Sequence, residues 1–417
     1  VNNVTYFVND GQSPFKSLQN FSPPVLADCL WRVSQFSRIE SGVPFQLIYI
    51  SGKLNTPLTN AATLISISSF VGMLVSFLGG SIADRFGRKP IMFLAQAAHG
   101  VAYLLTSRAG SYPAFLLPMT IMGASMPFYA IGSDAMMADM IPPERRTTAY
   151  SILRMTNNAG IAIGPSIGGL IVAKSYALAF YGAAAAMFTY SLILLLLARE
   201  TLQRKPEKRE ETLLENLSGY RQVFRDRHFL SFVAAITFGM IAPLMMWTLL
   251  AVYTKTNYCL SESRYAWLPI TNALMCVFVQ YFVTLFTRRH PAGQMIALGM
   301  FVYAVGVGSV ALMSSFWGFW LSMVILTFGE LILIPTGTAY AASRAPEDLR
   351  GRYMSIYWLT WGLARAVAPL IGGFLNDAIG PKAIWYGGLA FGLTSTMVLL
   401  LLARQAEKTD HSQLEGR

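Results

Sequence analysis

Three ionisable residues fall near the middle of long apolar runs: Glu40, Glu330 and Arg365. Each lies about 12–14 residues into its run, roughly 20 Å along a helix that rises about 1.5 Å per residue. That depth is close to the midplane of a hydrocarbon layer, where an ionisable group is costly and marks function. A carboxylate in such low-dielectric surroundings can exchange a proton near neutral pH. Glu40 and Glu330 are therefore candidate proton or cation sites, with Arg38 and Arg365 as counter-ions or anion-binding groups. The competing role for Glu330 is a standing ion pair with Arg365 or Arg38. Asp134 and Arg154 lie about seven residues before and six after one inter-run turn, at matching depth. That placement suits a structural ion pair, since each alone would be a buried charge. His99 is a lone imidazole on an apolar helix and reads as a hydrogen-bonded packing residue. The run Met245, Met246, Trp247, Tyr253 suits lipophilic substrate or ordinary packing.

Covalent catalysis lacks its residues. There is no HExxH, GxSxG, CxxC or GxxxxGK[ST] pattern, and the four histidines are scattered. Cys29, Cys259 and Cys276 have neither pairing nor metal-ligand spacing. We expect no enzyme, no metal and no cofactor, with the proton as coupling ion.

The elements that must position these residues are membrane helices. The 417 residues are 54% hydrophobic and 13% charged, about half the charged share of a soluble domain. Hydropathy marks twelve runs of about 20–28 residues, from 28–52 through 265–287 to 382–404. The first run has no basic stretch before it and no small-residue cleavage site after it, so no signal peptide is expected. The predicted organisation is an N-terminal segment (1–27), a six-helix bundle (28–198), a charged linker (199–228), a second six-helix bundle (229–404) and a tail (405–417). Loops and tail on the side of the termini carry roughly 21 basic residues against roughly 6 opposite, which predicts cytoplasmic termini. The net charge of +11 is then a membrane-orientation signal, and no nucleic-acid partner is expected.

The halves repeat. Gly164-Pro165-Ser166-Ile167-Gly168-Gly169 aligns with Ala368-Pro369-Leu370-Ile371-Gly372-Gly373, and the same offset places Arg146 on Arg350 and Pro142 on Pro346. Both copies run in the same direction, so the predicted fold is an all-α membrane protein of twelve transmembrane helices in two pseudo-symmetric bundles related by an axis along the membrane normal.

One motif is specific. Gly79-Gly80-Ser81-Ile82-Ala83-Asp84-Arg85-Phe86-Gly87-Arg88-Lys89-Pro90, between the second and third runs, resembles the best-known motif of the major facilitator superfamily. The resemblance covers about residues 55–404 and implies the major facilitator fold, alternating access and a charged latch at the cytoplasmic mouth. Gly80, Asp84, Arg85, Gly87 and Arg88 would form that latch, with Asp139 pairing with Arg88 and Arg145 beside it. Gly160, Gly164, Pro165, Gly168 and Gly169 resemble the antiporter motif of drug/proton exporters, a small-residue packing face. Phe328-Gly329-Glu330 followed by Pro335 is similar to the equivalent helix of some multidrug antiporters. One departure stands out: many drug antiporters carry an arginine four residues before the glycine matching Gly123, and here that position is Met119.

The resulting expectation is a monomeric secondary transporter in a bacterial inner (plasma) membrane, with a small-molecule substrate, protons and the lipid bilayer as partners. Proton-coupled efflux of small lipophilic or cationic compounds is the leading reading. A lipid or glycolipid flippase, or an importer of anionic or sugar-like solutes using Arg365 and Arg38, is the alternative. A membrane-embedded enzyme or sensor is disfavoured.

Overall fold

The computed structural model describes residues 45–140, 168, 171–172, 174–201, 220–346 and 349–415. Its helices are α1 (45–54), α2 (Leu58–Phe86), α3 (Arg88–Arg108), α4 (Tyr112–Met140) and α5 (Tyr176–Leu197) in the N-terminal half. The C-terminal half has α6 (Arg227–Tyr258), α7 (Glu262–Tyr265), α8 (Trp267–Phe278), α9 (Gln280–Thr287), α10 (Ala292–Ser309), α11 (Phe316–Arg344), α12 (Arg350–Ala378) and α13 (Ala383–Glu415). Among the described residues, eight helices are long and apolar enough to cross a membrane, or nine if the bent α7–α9 segment is one span. Their outward faces carry Leu196, Phe278, Phe282 and Trp317, each more than half exposed, which suits lipid rather than water.

Prolines lie inside several of these helices: Pro118 and Pro127 in α4, Pro243 in α6, Pro335 in α11 and Pro369 in α12. Membrane helices tolerate them because neighbouring helices and hydroxyl side chains occupy the freed backbone groups. Helix starts are capped where the chain re-enters the bundle. Asp226 accepts from the Phe229 N–H at 2.9 Å, and Ser175 from the Leu178 N–H at 3.3 Å.

The duplication appears as a repeated packing pattern. In the N-terminal half α3 packs on α4 and α5, and α2 packs on α4. In the C-terminal half α10 packs on α11 and α13, and α8 packs on α11. The main packing between halves is α2 against α12. The run predicted over 265–287 differs from a single rod: α8 and α9 meet at 57°. Gln280 opens α9 and its Nε2 donates to the Leu331 carbonyl at 3.1 Å, tying that end to α11 across the bend. The last helix continues past 404 to Glu415.

Helices α10 and α11 approach closely because Gly329 has no side chain. A Cβ there would lie 2.6 Å from the Tyr303 nitrogen and 2.9 Å from the Gly299 oxygen, both backbone atoms that cannot swing aside. Gly329→Ala should therefore destabilise the protein by about 1–3 kcal/mol, the usual overpacking range. Thermal unfolding in detergent checks this against Gly182→Ala, a position with nothing within 4 Å. Equal melting temperatures for the two variants would refute the close approach.

Candidate functional site

Between the halves lies a cavity of about 450 Å³. From the C-terminal half, α11 contributes Glu330, α8 contributes Asn272, α12 contributes Trp361 and Arg365, and α6 contributes Trp247 and Thr248. From the N-terminal half come Gln46 on α1, Met73 on α2, His99 and Tyr103 on α3, and Met119, Met122 and Met126 on α4.

Glu330 is half-buried, and Asn272 Nδ2 donates to its Oε2 at 2.8 Å. The same Nδ2 also reaches Thr327 Oγ1 at 3.0 Å, while that hydroxyl donates to the Met323 carbonyl at 2.7 Å. The amide therefore has a fixed direction, and the carboxylate it faces is held at the cavity wall. A hydrogen bond from a neutral donor stabilises the ionised form of the carboxylate, and Arg365 lines the same cavity.

Across the cavity, His99 Nδ1 is 2.7 Å from Ser125 Oγ. The Ser125 hydroxyl donates to the Met122 carbonyl at 3.2 Å, so it accepts from His99 Nδ1–H. This places a proton on Nδ1. Gln46 Nε2 points at two thioethers, Met122 Sδ at 3.2 Å and Met119 Sδ at 3.6 Å.

Each end of the bundle carries a polar cluster. At one end, within the N-terminal half, Arg88 Nε lies 3.2 Å from Asp139 Oδ2. Thr201 Oγ1 donates to the same oxygen at 3.0 Å. The Glu200 carboxylate accepts from the Arg88 and Lys89 backbone N–H groups, each at 3.1 Å, where a helix N-terminus favours negative charge. Gly87, at φ +98°, makes the turn between α2 and α3 in a conformation that favours glycine. At the opposite end the contacts cross between halves. Asp377 of α12 accepts from Leu58 N at 3.2 Å, Thr59 N at 2.7 Å and Thr59 Oγ1 at 2.5 Å, capping α2. Gly373 lets the helices meet there, since a Cβ on it would lie 2.9 Å from Thr59 Cα. Nearby, Lys255 pairs with Glu262, and Tyr176 of the N-terminal half donates to Glu262 at 2.9 Å.

Of the residues singled out from sequence, Glu330 and Arg365 come to one cavity. Glu40, Arg38, Arg145, Arg154, Gly160, Gly164, Pro165 and Gly169 lie outside the described residues. Gly80 and Asp84 are helical within α2, Arg85 is exposed with its guanidinium 5.7 Å from the Phe86 ring, and Gly168 is helical and half-buried. Asp134 is exposed on α4. His99 has the hydrogen bond read for it, but it also lines the cavity. Met245, Met246 and Tyr253 are buried in the bundle, and Trp247 alone of that run reaches the cavity lining. Sequence reasoning passed over Asn272, Gln46 and Asp377. A polar amide inside an apolar run was the available signal for the first two, and an acid at a span end for the third.

A duplicated helical bundle around a shared central cavity, its halves joined by hydrogen bonds at one end, is the architecture of a membrane carrier. The chain belongs to the Major Facilitator Superfamily, whose family model matches residues 36–366 and 243–417. Among its relatives, a Na(+), Li(+), K(+)/H(+) antiporter of Planococcus maritimus is 26% identical over 380 residues, covering 84% of this chain and 86% of that one. The multidrug resistance protein MdtH of Yersinia enterocolitica is 23% identical, covering 76% and 79%. The crystal structure of the nucleoside transporter NupG superposes with a TM-score of 0.76 at 12% identity, covering 91% of this chain and 99% of that one, a likeness of fold. The chain is thus a transporter and not an enzyme.

Asp377 and Glu262 are carboxylates that join the halves at the end opposite Arg88. Asp377→Ala should raise, several-fold, the rate at which a cysteine placed at cavity position 69 reacts with a membrane-impermeant thiol reagent applied from that side, native cysteines having been replaced. An unchanged rate would show that the cap does not hold the end closed.

Proposed function

We propose that the protein is a proton-coupled antiporter that expels small lipophilic cations by alternating access. The observation that carries this reading is Glu330: a carboxylate held by Asn272 at the wall of a cavity rich in thioether and aromatic side chains. Bound proton and bound cation compete for one negative charge, so each excludes the other, and a proton gradient can drive cation movement. Methionine supports the lipophilic half of the reading. Its flexible, polarizable side chain re-packs around varied apolar bodies and makes favourable contacts with aromatic rings. The Lys and Arg distribution supports placing the Arg88–Asp139 end in the cytoplasm. In that orientation the Asp377 cap closes the outer face and the cavity serves the inner one. The Arg88–Asp139–Thr201 cluster then holds α3, α4 and the end of α5 together as a unit while the halves move.

A second reading, exchange of inorganic monovalent cations, is favoured by the Planococcus relative's name. The cavity lining argues against it. Hard cations are bound by shells of oxygen atoms, and here Met73, Met119, Met122, Met126 and Met240 set sulfur among the hydroxyls of Ser68, Ser69, Ser76 and Thr248. Arg365 lends support to an anion or sugar-like substrate, but it shares the cavity with Glu330, whose charge opposes an anion.

The test is Glu330→Gln in proteoliposomes. The variant should lose at least tenfold of gradient-driven transport of tetraphenylphosphonium, and its cation affinity should no longer fall on acidification. Full proton-driven transport by the variant would refute the assignment. Transport of sodium or potassium, but not of tetraphenylphosphonium, by the parent protein would select the second reading.

A further inference from the structure

The cavity has a second polar feature that neither proton exchange nor cation attraction uses. Gln46 is 8% exposed, and its amide nitrogen faces only Met119 and Met122 among the described residues. Thioether sulfur is a weak acceptor, so an amide donor set against it is poorly satisfied. Turning the amide by 180° worsens the match, because a carbonyl oxygen gains nothing from a sulfur that cannot donate. A leucine or methionine would fill this place without burying a polar group. Packing alone therefore does not account for the glutamine. The residue lines the same cavity as Glu330, but from the opposite half of the protein.

We infer that Gln46 is a specificity-determining residue. It donates a hydrogen bond to a carbonyl-type acceptor on the substrate, whose cationic end lies toward Glu330 and whose aromatic body rests on Met119 and Met122. The inference deepens the lipophilic-cation reading and rests on it. The substrate class becomes narrower: aromatic monocations carrying an uncharged oxygen acceptor apart from the cationic nitrogen. The physical basis is asymmetric. A weakly satisfied donor gains a good partner when an acceptor arrives, whereas a methylene in the same place leaves the donor as it was and displaces any water there. Binding through both ends also ties the two halves to one molecule, so the substrate reports its presence to each half.

The experiment uses two probes that differ at one position, N-methyl-4-benzoylpyridinium with a ketone and N-methyl-4-benzylpyridinium with a methylene. Binding of each is measured by isothermal titration calorimetry to the full chain and to Gln46→Met, which keeps the volume and extends the thioether wall. The parent protein should bind the ketone about tenfold more tightly than the methylene probe, an ordinary gain for one good buried hydrogen bond. In Gln46→Met that ratio should fall to about one, with affinity for the methylene probe within twofold of the parent's, a result that also shows the variant folded. Should Gln46→Met bind neither probe, Gln46→Leu is measured in its place with the same expectation, and loss of both probes there too makes the glutamine structural and overturns the inference. A ketone preference that survives in the variant, or equal binding of both probes by the parent, overturns the inference while leaving the cation reading standing. Binding of neither probe by the parent sinks the cation reading and this inference with it.

Discussion

A charge inside a bilayer must be held by the protein, because hydrocarbon offers it nothing. The Asn272 amide donates to Glu330 at 2.8 Å. That bond steadies the carboxylate at the cavity wall. The surrounding architecture serves this arrangement. Gly329, the neighbouring residue, brings α11 onto α10 so closely that the helix carrying the carboxylate cannot slide. Thr327, one turn earlier, takes the other contact of the Asn272 amide and so sets its direction. A site that loads a proton or a cation needs such rigid placement.

The two ends of the bundle are built for different duties. At the Arg88 end, Asp139, Thr201 and Glu200 gather α3, α4 and the end of α5 within one half. Such contacts survive when the halves rock against each other. At the other end the contacts run between halves, from Asp377 to the start of α2 and from Tyr176 to Glu262. Those must break for the cavity to open there. Asp377 uses backbone N–H groups at a helix N-terminus as its partners, which are exposed to water at the membrane surface once released. The closed state is therefore held by hydrogen bonds that water can replace, and the step to the other state does not strand a buried charge.

Much of the fold was legible because membrane helices announce themselves by length and hydropathy, and because the duplication keeps one register between the two halves. The Arg88–Asp139 contact was legible from a motif whose residues are adjacent in the chain or separated by one helical hairpin. Glu330 and Arg365 stood out because charges are rare at such depth. Uncharged amides do not stand out in that way. Asn272 and Gln46 carry no charge, and their meaning comes from what they face, a carboxylate for one and two sulfurs for the other. The stripe of Met323, Thr327 and Glu330 on α11 is regular in sequence, yet Met323 and Thr327 are buried in helix packing and only Glu330 reaches the cavity lining. Periodicity locates a face, but which turn of that face meets open space depends on how far neighbouring helices extend. The bend at residue 279 was hidden for a related reason, since no proline or glycine stands there to mark it.

The central claim is that proton and cation exclude each other at Glu330. Its most direct test is proton release on substrate binding: purified protein in weakly buffered detergent, a pH-indicator dye, and tetraphenylphosphonium added at matched pH. Competition for one carboxylate predicts release approaching one proton per cation bound as the starting pH is lowered, and none from Glu330→Gln. Saturable cation binding without proton release at any pH between about 5 and 8 would contradict the account.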